Sequence, residues 1–293
     1  MKTKKNAGFT IIELLTVMSI IVIFISLLMP SLNAVRRYSK AVRQKGQFHE
    51  MRTGLEMFYV DFGEYPESSE NSFPGGIDDV PYCGAQKLCE ALLGKDNHGL
   101  HPDSQFIAAG TDRSGNILYP PAPPNPLSDL IYMSNLRSRK NTYVDPEKFK
   151  TTNLYALFGN SITPYTEPNA FVCDVFRSVR NRNPNGSATI GMPVLYYRAN
   201  TSKMGHHLNT DAANITQNIY DYRDNYNFTT LRTAEMGDSE HPIRADHNIF
   251  YNTTWNGRDR VMPKPFNSET YLLVSAGWDG FYGTKDDIFN FGE

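Results

Sequence analysis

The apolar run from Phe9 to Met29 constrains this chain more than any other part of its sequence. About twenty apolar residues suffice for a helix to span a bilayer, so the run predicts one membrane-spanning helix near the N-terminus. A cleaved secretory signal would have a shorter apolar core that ends in a small-x-small site. No such site follows Met29, where the chain continues into Pro30, Ser31 and Leu32. The sequence therefore favours a retained span.

Glu13 is the one acidic residue inside this run. A carboxylate within an apolar span costs on the order of several kcal/mol unless it is paired, and acidic residues in such positions usually have a function. A plain membrane anchor does not account for Glu13. We therefore expect its carboxylate to meet a positive partner.

The residues on either side of Glu13, from Lys4 to Leu15, resemble the processing motif of type IV prepilins. The resemblance implies that a prepilin peptidase cuts after Gly8 and methylates the new amine of Phe9, so that residues 1–8 are a leader peptide. It also implies that subunits pack into a helical filament through their N-terminal helices. The ammonium of Phe9 and the carboxylate of Glu13 on neighbouring subunits would then neutralise each other and fix the axial register of assembly.

Pro30 lies just after the apolar run, where it removes one helical hydrogen bond and predicts a kink or a loosened turn. The resemblance implies that this stretch is locally unwound in the filament. Beyond Pro30, apolar residues recur every three or four positions as far as Phe62, which predicts an amphipathic helix. Gly63 and Pro66 mark its expected end. From Phe9 to Phe62 such a helix would be roughly 80 Å long.

The head that follows is predicted to combine a sheet with a long insertion. β-Branched and aromatic runs at Pro193–Ala199 and Glu269–Ser275 predict strands that pack on the helical spine. Residues 67 to about 190 are rich in Pro, Gly, Asn and Ser and predict a loop-rich insertion, with a short helix over Lys87–Leu93. The predicted fold class is therefore α+β, with a long N-terminal helix packed on an antiparallel sheet. The predicted boundaries are a leader peptide over 1–8, a transmembrane helix over 9–32, an amphipathic helical spine over 33–64 and a head over 65–293.

The three cysteines, Cys83, Cys89 and Cys173, are too few for a fold built on disulfides. In an extracytoplasmic domain one pair could close while the third thiol stays free. Cys83 and Cys89 are the closer pair in sequence, but the sequence does not choose between Cys89 and Cys173 as the partner of Cys83.

An acidic, glycine-rich segment from Ser275 to Ile288 offers a second candidate site. Calcium takes about six to eight oxygen ligands in flexible loops, and Asp279, Asp286 and Asp287 could supply carboxylates. The glycines of the segment allow sharp turns that direct backbone carbonyls inward. The spacing of the acids does not match an EF-hand, so the residues alone leave a calcium loop and a solvated hairpin both open.

The same segment resembles the calcium loop of the major pseudopilin of type II secretion, and Tyr59–Pro66 resembles the helix exit of such pseudopilins. The resemblance implies a structural calcium ion held by the side chains of Asp279, Asp286 and Asp287. It also implies further ligands among the backbone carbonyls, those of Leu273, Ser275 and Phe281.

The rest of the sequence gives no reason to expect an enzyme. Its candidate metal-binding or catalytic histidines stand outside any H-E-x-x-H, G-x-S-x-G or P-loop string. These histidines are His206, His207, His241 and His247. A formal net charge of -2 shows no global bias towards nucleic acid, and the basic run from Arg36 to Arg52 is expected to face lipid headgroups or neighbouring subunits. We therefore expect neither catalysis nor nucleic-acid binding.

The motif, the helix exit and the acidic loop favour a pseudopilin, which is a structural subunit of a type II secretion-like filament. Its expected partners are further copies of itself, other pseudopilins, the prepilin peptidase and an inner-membrane assembly platform. The expected location is the inner membrane, with a single pass, a cytoplasmic N-terminus and a periplasmic head, and then an extracytoplasmic filament. Two alternatives stay open: a structural or adhesive type IV pilin of a surface appendage, which the large head and a possible disulfide favour, and a membrane-anchored enzyme or binding domain.

Overall fold

The computed structural model describes residues 10–69, 82–126, 129–153, 170–177, 179–180, 189–208, 215–230, 240–258 and 263–292, with the backbone alone at 153, 179, 180, 227 and 230. The chain divides into two compact units, Met1–Val42 and Arg43–Glu293. The division falls within the first helix, α1 (Ile11–Phe62). The leader peptide predicted over 1–8 lies outside the described residues.

The first unit contains the N-terminal part of α1. This helix is long and apolar enough to cross a membrane, with a mean hydropathy of 2.8 over its most apolar stretch. Side chains such as Ile11, Val22 and Leu27 are exposed, which leaves an apolar surface for lipid or for other helices. Pro30 lies inside α1, and the helix continues through it. One missing hydrogen bond does not interrupt α1 in the single chain, and the unwinding implied for the filament stays a prediction.

The second unit begins with the rest of α1, which buries one face at helical spacing. The buried residues of this face are Gln44, Phe48, Met51, Gly54, Leu55 and Phe58. The helix ends at Phe62, and the N–H of Gly63 donates to the carbonyl of Tyr59 at 2.8 Å. Gly63 has a φ of 78°, the left-handed conformation in which many helices stop. The predicted helix end is therefore confirmed.

A short helix, α2 (Gly84–Leu93), is buried along its whole length in the head. It lies against α1, since a Cβ on Gly54 would be 2.9 Å from the side chain of Leu92. The sequence predicted this helix over Lys87–Leu93. It begins earlier because the side chain of Gln86 accepts a hydrogen bond from the N–H of Cys83 at 3.1 Å and so closes the first turn.

The described strands are short, and they pair antiparallel. They are β1 (Thr151–Asn153), β2 (Ala170–Val172), β3 (Val179–Arg180), β4 (Thr189–Ile190), β5 (Leu195–Arg198), β6 (Tyr271–Ser275) and β7 (Ile288–Phe289). β1 pairs with β2, β3 pairs with β4, and a three-stranded sheet has the order β5-β6-β7. Leu195 faces Val274 and Arg198 faces Tyr271 in this central sheet. Both predicted strands are present and pair with each other, which confirms the α+β class.

The central sheet is covered on both faces. The other described helices are α3 (Leu130–Ser138), a 3-10 turn (Tyr222–Asn225), α4 (Tyr226–Thr230), α5 (Pro242–Ala245) and α6 (Asn248–Thr254). On one face Tyr197 and Leu272 join a buried core with Phe250 of α6. On the other face the ring of Tyr271 lies 5.0 Å from that of Tyr65, which follows α1. The sheet thus contacts the segment that directly follows the helical spine.

All three cysteines are buried, and none of them is in a disulfide. The possible disulfides of Cys83 with Cys89 or Cys173 are therefore not formed. Six residues of helix separate Cys83 from Cys89 by roughly 9 Å along the axis of α2, which is too far for a disulfide. Burial raises the pKa of the Cys89 and Cys173 thiols well above the usual range, so both pack as neutral groups.

Candidate functional site

Thr10 and Glu13 cap the start of α1. Glu13 Oε2 accepts hydrogen bonds from the N–H of Thr10 at 2.9 Å and from its hydroxyl at 2.8 Å. The Thr10 hydroxyl also accepts from the N–H of Glu13 at 3.3 Å. This reciprocal arrangement is a capping box, which satisfies N–H groups that have no partner within the helix.

The cap adds a local role to the one predicted for Glu13. The sequence predicted a carboxylate in need of a positive partner, and in the single chain one of its oxygens is hydrogen-bonded to Thr10. The spacing of Thr10 and Glu13 fits the S/T-x-x-E signature, a signal that attention to the apolar run alone misses. Hydrogen bonds do not neutralise the charge, so a carboxylate inside a bilayer or helix bundle still requires a cation. The processing residues Gly8 and Phe9 lie outside the described residues.

The helix exit after α1 is built from aromatic rings. The rings of Tyr59 and Tyr65 lie 4.9 Å apart, and Tyr65 in turn contacts Tyr271 of β6. The hydroxyl of Tyr196 in β5 donates to the carbonyl of Pro66 at 2.8 Å. These contacts fix the end of α1 to the central sheet.

The C-terminal loop connects β6 to β7 through left-handed glycines. Gly277, Gly280 and Gly283 have φ angles of 67°, 76° and 91°, a conformation that side chains disfavour. At Gly277 the chain also passes close to itself, because a Cβ there would be 2.1 Å from the carbonyl oxygen of Asp286. The glycines therefore make the sharp turns that the sequence predicted.

The three predicted calcium ligands hold this loop together by hydrogen bonds. Asp286 accepts from the N–H of Asp279 at 3.0 Å and from the hydroxyl of Thr284 at 2.6 Å. Asp287 Oδ2 accepts from the N–H of Gly283 at 2.7 Å. The other oxygen of Asp287, Oδ1, is buried and has no hydrogen-bond partner among the described residues.

Burial and mutual repulsion perturb the acidity of these carboxyls. Burial raises the pKa of Asp287 to about 8, and the charges of Asp279 and Asp286 add to the increase. Burial also raises the pKa of Asp279. Burial alone would raise the pKa of Asp286, but hydrogen bonds from Thr284 and from the N–H of Asp279 together lower it. A bound cation would remove the tendency of Asp287 to hold a proton at neutral pH.

The three carboxyls are not arranged as a preformed cage. In the part of the chain that the structure describes, no group of three or more His, Cys, Asp or Glu side chains could hold a metal ion as placed. Asp279 and Asp286 are in contact, whereas Asp287 turns towards Gly283. The oxygen-only donor set suits calcium. Oδ1 of Asp287, which lacks a hydrogen-bond partner within the described ranges, is the atom that a cation would satisfy.

The predicted carbonyl ligands differ in position. The carbonyl of Leu273 accepts from the N–H of Asn290 at 3.2 Å, so it belongs to the sheet. The carbonyl of Phe281 lies within the loop and accepts from the hydroxyl of Thr284 at 3.3 Å. Ser275 ends β6 at the base of the loop. Phe281 is therefore the carbonyl ligand best placed for an ion in the loop.

A buried aspartate that the sequence did not single out anchors the base of the loop. Asp174 Oδ2 accepts from the hydroxyl of Ser275 at 3.0 Å. Asp174 Oδ1 accepts from the N–H groups of Phe176 at 3.1 Å and Met192 at 3.2 Å. No sequence signal reveals this role, because Ser275 is 101 residues away along the chain.

Two of the candidate metal-binding or catalytic histidines, His206 and His241, are buried in the core of the head. Burial lowers the pKa of both His206 and His241 to about 4, so both are neutral at neutral pH. A ring nitrogen of His206 lies 2.7 Å from the carbonyl of Tyr251. Nδ1 of His241 accepts from the N–H of Tyr282 at 3.2 Å. These contacts tie the helices after β5 to the core and to the C-terminal loop.

Comparison with known families adds evidence at the N-terminus. The model described as the prokaryotic N-terminal methylation motif matches residues 3–29, the stretch that contains Gly8, Phe9 and Glu13. No curated protein and no solved structure matches the chain. The matched motif implies processing by a prepilin peptidase and assembly into a pilus or pseudopilus in general.

Proposed function

We propose that this chain, a membrane-anchored type IV pilin-like protein by its methylation motif and long apolar helix, is a pseudopilin of a type II secretion-like filament. The observation that carries the proposal is the motif at the start of an exposed apolar helix. A prepilin peptidase would cut after Gly8 and methylate the amine of Phe9. The processed helices would then pack side by side, with Glu13 of one subunit against the new ammonium of the next.

The helix exit and the C-terminal loop support a secretion role over a surface fibre. Both resemble the corresponding parts of the major pseudopilin, and in this chain both are connected to the central sheet. Tyr65 contacts Tyr271 at one end of β6, and the loop leaves β6 after Ser275 at the other end. A structural change in the C-terminal loop would thus be transmitted through β6 to the end of α1.

The partners and location follow from the same proposal. The chain would reside in the inner membrane with a periplasmic head, bind an assembly platform there, and join other pseudopilins in an extracytoplasmic filament. It would act as a structural subunit and not as an enzyme. A membrane-anchored enzyme would need catalytic groups within reach of one another, whereas His206 and His241 make core contacts.

Calcium would serve as a structural ion in the C-terminal loop. Asp279, Asp286 and Asp287 would hold it, with the carbonyl of Phe281 as a further ligand. The support for this proposal is Oδ1 of Asp287, which is buried in a loop of oxygen donors and has no hydrogen-bond partner in the described part of the chain. The ion would supply the positive charge that three neighbouring carboxylates lack, and so keep the loop closed.

A surface pilin is the second candidate, and an exposed apolar pair favours it. Leu130 and Ile131, at the start of α3 within the insertion, are each 84% exposed. Such a pair on an appendage would suit contact with another surface.

Locating the protein in its native host would distinguish the two candidates. A secretion pseudopilin should give immunogold label confined to the cell envelope, and deletion of its gene should retain exported proteins inside the cell. A surface pilin should give label along long fibres and leave export unchanged. Fibres with normal export would therefore overturn the secretion proposal.

A further inference from the structure

A cluster of basic residues follows the apolar span. Arg36, Arg37 and Lys40 lie in the same compact unit as the span, and we refer to these three residues as the basic collar. The sequence contains no aspartate or glutamate between Glu13 and Glu50, so this part of α1 has a local excess of positive charge. The nearly neutral formal charge of the whole chain hides this excess.

The basic collar lies just beyond the layer of lipid headgroups, within reach of it. A helix rises about 1.5 Å per residue, so Arg36 lies roughly 10 Å beyond Met29, where the apolar run ends. The headgroup layer extends about 5–8 Å beyond the hydrocarbon on each side, and long basic side chains can reach back towards it. Attraction between charges extends over a further Debye length of about 8 Å at physiological salt.

The side chains around the basic collar are typical of a membrane–water interface. Arg36 and Arg37 are exposed. Between and beside them, Val35 is 63% exposed and Tyr38 is 73% exposed. Tyrosine is enriched at membrane interfaces, and a guanidinium can bind a phosphate through two parallel hydrogen bonds. The segment therefore offers both an apolar contact and a phosphate contact at one depth.

We propose that the basic collar binds the phosphate groups of anionic lipids in the leaflet from which the head emerges. A second copy of the chain suits the collar less well, because copies inserted side by side at one depth place cation against cation. Between Glu13 and Glu50 such a copy offers no carboxylate. Anionic lipids neutralise this repulsion and let subunits accumulate in the membrane before assembly. The inference rests on membrane anchorage and is independent of the proposed secretion role.

The test uses the full chain in bilayer nanodiscs that contain equal amounts of phosphatidylglycerol and phosphatidylcholine. Native mass spectrometry counts the lipids retained by the wild type, by the triple variant R36Q/R37Q/K40Q and by the control R137Q/K148Q/K150Q, which removes three exposed cations from the head. One basic residue near an anionic surface changes the partition about fivefold. We expect at least a fivefold enrichment of phosphatidylglycerol on the wild type and the control, and the bulk lipid ratio on the triple variant.

Two further measurements make the outcome decisive. The variant R36K/R37K keeps the charge and should keep the enrichment, and about 1 M salt should abolish it, since the Debye length falls to about 3 Å. Equal enrichment on the wild type and on R36Q/R37Q/K40Q would overturn the proposal. The proposal would also be overturned if, in pure phosphatidylcholine, the wild type formed cross-linked dimers and R36Q/R37Q/K40Q did not. The partner of the basic collar would then be a second copy of the chain.

Discussion

Asp224 shows at the scale of single residues how burial sets charge in the head. Its carboxyl is buried and accepts a hydrogen bond from the hydroxyl of Ser68 at 2.5 Å. Burial raises its pKa from 3.8 to about 8, so the folded chain holds a proton that the unfolded chain has lost at neutral pH. The buried His206 behaves in the opposite way, because its folded-state pKa of about 4 lies below the usual 6.5.

Replacing Asp224 with asparagine should remove one contribution to the pH dependence of stability. Between about pH 4 and pH 8 the folded wild type binds one more proton at this site than the unfolded chain, so its free energy of unfolding falls as pH rises, by at most about 1.4 kcal/mol per pH unit. The asparagine side chain cannot titrate, so the Asp224→Asn variant lacks this contribution. Urea unfolding of the detergent-solubilised chain, followed by the fluorescence of Trp255 and Trp278, measures the difference.

The titration of His206 changes the free energy of unfolding in the opposite direction to that of Asp224. It does so equally in the wild type and in the Asp224→Asn variant. Its contribution to stability is present above about pH 6.5 and is lost as pH falls towards 4, so it cancels in the comparison. Parallel pH profiles of the wild type and Asp224→Asn would show that Asp224 does not hold a proton in the folded chain.

The Asp287→Asn variant tests the calcium ion. At neutral pH without calcium, the pKa of about 8 keeps most of the Asp287 carboxyl protonated, and asparagine has nearly the same shape and no charge. We expect calcium at about a hundred times its Kd to raise the Tm of the wild type by roughly 5–10 °C. The variant should match or exceed the calcium-free wild type in Tm and should not respond to calcium.

The control for this experiment is Asp103→Asn, which changes a carboxyl that is 77% exposed and lies outside the loop. It should keep the wild-type response to calcium. A wild-type Tm that is the same in calcium and in chelator, together with no calcium in elemental analysis of the purified protein, would rule out the ion.

At the scale of elements, α1 depends on a close approach at Gly54. A Cβ at this position would lie 2.8 Å from the Val144 side chain and 2.9 Å from the Leu92 side chain. The same helix contains Gly46, where a Cβ would meet no atom within 4 Å. The two glycines therefore form a matched pair within one helix.

Replacing each glycine with alanine should move stability in opposite directions. Gly54→Ala should lower the free energy of unfolding by about 1–3 kcal/mol, because the added methyl group overpacks against α2 and the Val144 loop. This loss exceeds the gain of up to about 1 kcal/mol from the higher helix propensity of alanine. Gly46→Ala should gain about 0.5–1 kcal/mol. Urea unfolding measures both changes. A Gly54→Ala variant as stable as Gly46→Ala would mean that α1 does not pack on α2 at this distance.

The elements that the sequence predicted are those with strong local signals. The amphipathic period and the left-handed Gly63 define the end of α1, and β-branched and aromatic runs locate β5 and β6. The capping of α2 has a weak signal because cysteine is not among the usual N-cap residues. The short strands of the insertion have weak signals because they depend on contacts between segments that are separated in the sequence. The site divides in the same way. Local patterns predict Glu13 and the loop aspartates, whereas the anchoring of Ser275 by Asp174 exists only in the folded chain.

At the scale of the whole molecule, the chain joins two units with different surroundings. The first exposes an apolar helix that carries the methylation motif, and the second buries an aromatic core around a three-stranded sheet. Assembly would use the first unit, while the second would present its surface to partners outside the membrane. Glu13 is the residue on which the assembly argument depends.

Variants at the capping box can separate the charge of Glu13 from its role in the cap. Glu13→Gln keeps the box, because glutamine also caps, but removes the charge. Thr10→Ala removes the cap and keeps the charge. We expect both variants to be cleaved after Gly8, Glu13→Gln to lose most of its filaments, and Thr10→Ala to assemble. Electron microscopy of sheared filaments and immunoblots of the processed chain provide the readout, and normal filaments from Glu13→Gln would remove the charge-pairing argument.

The N-terminal sequence of the protein made in its native host shows whether the positive partner of Glu13 is formed. Mass spectrometry should find a mature chain that begins at Phe9 and carries a methyl group on its amine. That ammonium is the positive partner proposed for Glu13, and it exists only after the leader has been removed. A chain that still begins at Met1, with no species that begins at Phe9, would contradict the account.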